Sequence, residues 1–165
     1  MRNVRRYETQ GAPVFVTLVC RDHQPLLRDP DDKDALLSCL KLQHAKRTFK
    51  LYAWVILDDH VHLLIGECTP DFSTVIGSFK QRAMLRLRRP ALWQPRFFDH
   101  IIRDDRDLRA HVDYIHFNPR KHSYVAEPAH YRWSSLPRSI AKGRYAAEWG
   151  IGEEPSTIAD GAGSE

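Results

Sequence analysis

Residues 50–67, "KLYAWVILDDHVHLLIGE", decide how this chain folds. "KLYAWVILD" is rich in aromatic and β-branched residues and reads as a strand. "HVHLLIGE" reads as the next strand, and Asp58-Asp59 between them suits a tight hairpin turn. Side chains alternate along a strand, so His60 and His62 project to one face and Val61 and Leu63 to the other. Two imidazoles on one face suit a polar, half-exposed strand. They also suit a pair that clamps one cation, since imidazole is a common metal ligand.

Working outward, "APVFVTLVC" (12–20) predicts an earlier strand. Asp31 or Asp32 can cap a helix over about 33–48, with Ala35, Leu36, Cys39, Leu40 and Leu42 near helical spacing. After the hairpin, Asp71, Ser73 or Thr74 starts a second helix, which runs to about Arg89 and stops before Pro90. "RFFDHIIRD" (96–104) reads as a fourth strand. A third helix is expected from about Asp105 to Phe117, ending near Asn118-Pro119, and a short helix around 134–142. The order β-α-β-β-α-β predicts an α+β, ferredoxin-like split βαβ fold. Its antiparallel sheet carries helices on one face, and the later helix is extra. RNA-binding RRM domains share this order, so the order alone does not choose a function.

The bulk properties narrow the classes. A chain of 165 residues suggests one domain with a core of its own. Three scattered cysteines make neither a disulfide framework nor a zinc knuckle and suit a reducing cytoplasm. No apolar run approaches the roughly 18 residues of a membrane helix, and the basic N-terminus lacks a signal-peptide h-region. Net charge is +4, unevenly spread. Residues 145–165 hold five acids and no Lys or Arg, while the first 144 hold 25 basic and 16 acidic residues, a net of +9. A basic body suggests a polyanionic partner. Its acidic extension, residues 151–165, reads as disordered.

Two further stretches carry chemistry. In "HVDYIHFNPRKH" (111–122), helical spacing puts Tyr114 and Asn118 one turn apart on a shared face. A tyrosine hydroxyl is a nucleophile type, and an amide oxygen is a hard ligand suited to Mg²⁺ or Mn²⁺. The plainer alternatives are a core tyrosine and a helix-capping asparagine. His116 points to a different side of the helix. In "FKQRAMLRLRRP" (79–90), Lys80, Arg82, Arg86, Arg88 and Arg89 form a cationic stripe that could neutralise phosphates. Trp93, Phe97 and Phe98 follow and are available for base stacking, although a solvated helix and core aromatics fit equally well.

Five segments together resemble the REP-associated tyrosine transposases, single-tyrosine members of the HUH endonuclease group. They are "RRYETQGAPVFVTLV", "LDDHVHLLIG", "DFSTVIGSFKQR", "WQPRFFDHIIRDDRDLRAHVDYIHFNPRKH" and "YRWSSLPRSIAKGRYAAEWG". They occur in the family's order and cover the chain to about Gly150, so residues 1–150 are expected to form one HUH domain. Family members usually carry a small or apolar residue where Arg120 stands, and often Gly at Ser123, departures that bear on the loop after the tyrosine helix.

The resemblance implies a ferredoxin-like HUH domain with His60, His62 and Asn118 as ligands of Mg²⁺ or Mn²⁺ and Tyr114 as nucleophile. It implies a substrate of single-stranded DNA beside an imperfect hairpin from a repetitive extragenic palindrome. Strands would be cleaved and rejoined through a 5′-phosphotyrosyl intermediate, in the cytoplasm at the nucleoid. No nucleotide cofactor is implied, and no G-x-x-x-x-G-K-[ST] motif occurs. Tyrosine has an unperturbed pKa of about 10, so its proton must leave during attack. Besides the stripe on 80–89, Arg5, Arg6 and Lys121 are candidate DNA contacts. The family includes dimers and monomers, and the length here points to a monomer. Two rivals make different predictions. A non-catalytic hairpin-binding module would bind without metal or adduct. A Zn²⁺ phosphodiesterase using water would survive loss of Tyr114.

Overall fold

The computed structural model describes residues 11–157. Its strands are β1 (Val14–Val19), β2 (Lys50–Ile56), β3 (His60–Gly66) and β4 (Phe98–Ile101). Its helices are α1 (Pro30–Ala45), α2 (Phe72–Leu87), α3 (Asp105–Lys121) and α4 (Leu136–Ala141). The strands form one antiparallel sheet in the order β2-β3-β1-β4, the arrangement expected of a split βαβ fold.

Alternation divides the sheet into two cores. Val14, Val16 and Leu18 of β1, with Val61, Leu63 and Ile65 of β3, pack against α1 and α2 through Leu36, Leu40, Val75, Ile76 and Phe79. Phe15, Val55 and Leu64 face the other way, under α3, where Tyr114, Ile115 and Phe117 close the second core. Two helices thus cover one face, and the extra helix carrying Tyr114 covers the other. Fully burying one such apolar side chain contributes about 1.5–3 kcal/mol, so α3 is docked by packing as well as by its own hydrogen bonds.

The β2–β3 hairpin turns on Asp58-Asp59 as expected, closed by Leu57 N–H donating to His60 O at 2.9 Å. The turn is also clamped from outside. Lys33 of α1, nearly fully buried, reaches Asp58 at 2.5 Å, and the Asp58 amide donates to the Tyr124 hydroxyl at 3.1 Å. Tyr131 donates its hydroxyl to Ile56 O at 2.6 Å. These contacts fix the start of β3 and therefore the position of His60.

Several boundaries differ from the sequence expectation. Helix α1 begins at Pro30, and its cap is Asp29, which accepts from the Asp31 amide at 2.8 Å. Proline without an amide hydrogen suits that first position, so Asp31 and Asp32 lie inside the helix. Helix α2 is capped by Asp71, as anticipated, and ends at Leu87 with Arg88 left-handed at φ 55°. Strand β4 covers only 98–101, because Asp104 is already the N-cap of α3 and accepts from the Asp107 amide at 2.8 Å.

Helix α3 continues through Pro119 to Lys121 instead of stopping before the proline. Its end is a Schellman closure, with Ser123 N–H donating to Arg120 O and Tyr124 N–H to Pro119 O. Beyond it, Arg120 donates to Gly150 O at 2.6 Å and Gly152 O at 2.8 Å, and Thr157 donates to Asp113 at 2.5 Å. The acidic extension is thus laid along α3 as far as Thr157, while 158–165, like Arg5 and Arg6, lie outside the described residues. Among the described residues no helix is long and apolar enough to cross a membrane.

Candidate active site

His60 and His62 lie on the α3 side of the sheet, their rings 4.7 Å apart and 75° to one another. Each ring is set by a bond at Nδ1. His60 Nδ1 donates to Asp59 Oδ1 at 2.6 Å, and this bond holds the Asp59 carboxyl below its ordinary range. His62 Nδ1 shares a 2.9 Å hydrogen bond with Thr17 Oγ1, its cross-strand partner on β1. With Nδ1 occupied, Nε2 is the nitrogen each ring has for another role.

Helix α3 places three residues over the pair at intervals of one turn. The Tyr114 ring lies 5.4 Å from that of His62, and the His122 ring, just past the helix end, lies 5.3 Å from that of His60. Asn118 is midway between them on the same stripe, so it is bracketed over the two imidazoles. Its side chain is fully buried, and neither its amide oxygen nor its nitrogen has a hydrogen-bond partner among the described residues. An unsatisfied buried amide costs about 1–3 kcal/mol. Lys121, about two turns beyond Tyr114, places its ammonium 3.4 Å from the tyrosine hydroxyl and 4.7 Å from the ring centre.

His116 takes no part. Burial holds its imidazole down to about 3, and it shares a 2.7 Å hydrogen bond with Ser135 Oγ on the far side of α3.

A second polar group was not anticipated. His100 of β4 donates to Asp107 Oδ2 at 2.9 Å, and His111 donates to the Asp107 carbonyl at 2.8 Å. The His100 and His111 rings stack at 4.6 Å and 15°. The ligand atoms of these three residues lie within 4.8 Å of one another, close enough for a His/Asp metal-binding group. Burial alone would raise the Asp107 carboxyl. Hydrogen bonds from the Arg103 amide and His100, with the charges of His100 and His111, hold it below the usual range instead. Burial also pushes His111 below its ordinary value. As it stands the group is a hydrogen-bonded knot joining β4 to α3. The spacing Asp107–His111, one helical turn, was its only local trace in the sequence; His100 comes from another element.

The cationic stripe is not on this face. Helix α2 packs on the opposite side of the sheet from Tyr114. Within the stripe, Lys80 donates to Gln94 O at 3.0 Å and Pro95 O at 3.3 Å, and burial lowers its ammonium pKa. Arg89 pairs with Asp32 at 2.7 Å and donates to Leu26 O. Arg86 and Arg88 are exposed and Arg82 half-buried.

Two histidines thus lie on a central strand, with a tyrosine and an asparagine one turn apart on the helix of the same side. Residues 13–118 match the family described as "Transposase IS200 like". A REP-associated tyrosine transposase of Escherichia coli K12 is 32% identical over 90% of this chain and 91% of its own length. This chain belongs to the REP-associated tyrosine transposases. The matched transposase family is an enzyme family. A Haemophilus influenzae relative is also 32% identical, over 91% of this chain and 94% of its own. A solved REP-associated tyrosine transposase bound to a REP hairpin superposes with a TM-score of 0.79, at 32% identity and 94% coverage of both chains.

Proposed function

We propose that this REP-associated tyrosine transposase cleaves and rejoins single-stranded DNA beside palindromic hairpins through a covalent 5′-phosphotyrosine at Tyr114. The observation that carries the reading is the stacking of Tyr114, Asn118 and His122 along α3 above His60 and His62. The hairpin substrate is drawn from the relative whose structure contains a REP hairpin.

His60, His62 and Asn118 fit a divalent cation. The two imidazoles are oriented through Nδ1, and Asn118 is a buried hard donor with no hydrogen-bond partner among the described residues. Mg²⁺ or Mn²⁺ suits this donor set and would supply Lewis-acid stabilisation of charge on the scissile phosphate. Asp59 and Thr17 hold the two imidazoles in place. Tyr114 Oη attacks phosphorus, the P–O3′ bond breaks, the phenolic proton departs, and the released 3′ oxygen takes up a proton. The ammonium of Lys121 beside the hydroxyl stabilises the negative charge that the phenol oxygen gains as its proton leaves. The phosphodiester energy stays in the phosphotyrosine, so rejoining needs no nucleotide.

Tyr114→Phe tests this directly. With Mn²⁺ and hairpin DNA labelled on the 3′ side of the cut, label should migrate with the wild-type protein in denaturing electrophoresis and not with the variant. His62→Ala should abolish the metal-dependent adduct yet keep most hairpin affinity. Cleavage by Tyr114→Phe at a comparable rate would make water the nucleophile.

A further inference from the structure

We propose that Phe98 is the stacking platform for an unpaired nucleobase beside the scissile phosphodiester, an inference that rests on the strand-transfer reading above. Among the described residues, Phe98 is the one phenyl or indole side chain that is exposed. It sits on β4, an edge strand, and pairs in register with Thr17 of β1, which pairs in turn with His62 of β3. Residues opposite one another across a sheet share a face, so Phe98, Thr17 and His62 form one row on the side that carries Tyr114. Helix α3 covers the middle of that face and leaves its edge open at Phe98.

The ring is propped from within. Phe15 meets Phe98 edge-on at 6.4 Å and 71°. Phe15 also stacks on His62 at 5.3 Å and 24° and meets Tyr114 at 5.9 Å. A base lying on Phe98 would therefore be one buried ring away from both the nucleophile and a histidine of the pair. Strands about 4.8 Å apart put the Cα atoms of Phe98 and His62 roughly 10 Å apart across Thr17, a span suited to a nucleotide next to the cut. The backbone that must pass here is anionic, and Arg96 and Arg103, both exposed, stand just before and after β4. In RRM domains of the same strand order, sheet aromatics stack unpaired bases. Here α3 occupies the centre of that surface, so the stacking position moves to the edge strand.

The test uses DNA carrying an inverted repeat that adjoins this chain's gene, with short unpaired extensions and 2-aminopurine placed at each unpaired position in turn. Wild-type protein should quench fluorescence at one or two positions flanking the cut. Phe98→Leu, apolar but without a π face, should lose that quenching and weaken binding of the extended hairpin by about 5- to 150-fold. It should bind the hairpin lacking extensions as wild type does, and Phe98→Trp should restore the quenching. Unchanged quenching and affinity in Phe98→Leu would overturn the proposal. So would a concentration-dependent dimer that Phe98→Leu abolishes without affecting DNA, which would assign the ring to a second copy of the chain. Adduct formation scored in parallel separates the two readings. Adduct without Phe98-dependent quenching sinks the platform alone. Phe98-dependent quenching without adduct sinks strand transfer and, with it, the placement of the stacked base beside a scissile phosphodiester.

Discussion

The ammonium of Lys121 donates to the Tyr114 hydroxyl at 3.4 Å and lies 4.7 Å above the same ring. The contact exists because α3 runs past Pro119. A helix ending at Asn118 would release Lys121 from the stripe that holds Tyr114. Lys121→Met should slow adduct formation at saturating DNA by about 10–100-fold. That is less than the 10²–10³ of an enclosed oxyanion donor, because Lys121 is exposed and partly screened. Lys121→Arg should recover much of the rate. If Lys121→Met alters only affinity and its salt dependence in single-turnover measurements, Lys121 is a phosphate contact and nothing more.

Helix α2 packs on the side of the sheet away from Tyr114, so a DNA-binding role for its arginines is testable apart from the chemistry. Replacing Arg82 and Arg86 with Ala should reduce the slope of log affinity against log salt by up to about 0.9 for each duplex phosphate that is no longer neutralised. Lys80→Ala and Arg89→Ala should lower the melting temperature instead, since these side chains hold Gln94, Pro95, Leu26 and Asp32. A salt slope untouched in the Arg82/Arg86 variant would place the footprint on the α3 side.

Ser123 occupies the left-handed region at φ 61° in the Schellman closure of α3. A Cβ is costly there, and glycine would relieve it. Ser123→Gly should raise the unfolding free energy by about 0.5–1 kcal/mol, after allowance for the greater freedom of glycine in the unfolded chain. Urea denaturation measures it. Equal or lower stability would mean that the serine is not strained.

His116 is buried with its pKa depressed to about 3, so the unfolded chain binds a proton that the folded chain refuses between the ordinary histidine value and that figure. Its contribution to stability is complete above about pH 6.5 and is lost as pH falls below it, by at most about 1.4 kcal/mol per pH unit. His116→Gln should flatten the fall in melting temperature between pH 7 and 5. An identical pH profile would mean that His116 protonates in place.

Local patterns in the sequence determined the strand and helix order, the Asp58-Asp59 turn, the common face of His60 and His62, and the one-turn spacing of Tyr114 and Asn118. These follow from side-chain periods of two and 3.6 and from turn chemistry, which a linear string displays. Folding decided what depends on residues distant in the chain. It laid α3 over the histidine face and set α2 behind the sheet, because each helix buries the apolar stripe that complements one side of the pleat. It committed Lys80 and Arg89 to carbonyls and a carboxylate that the run "FKQRAMLRLRRP" does not reveal. It joined His100 to Asp107 and His111 from separate elements. It carried α3 past Pro119, since the closure at Ser123 and the packing of Asn118 and Pro119 outweigh the intrinsic penalty of proline in a helix. Periodicity assigns a side chain to a face; only packing decides what lies opposite.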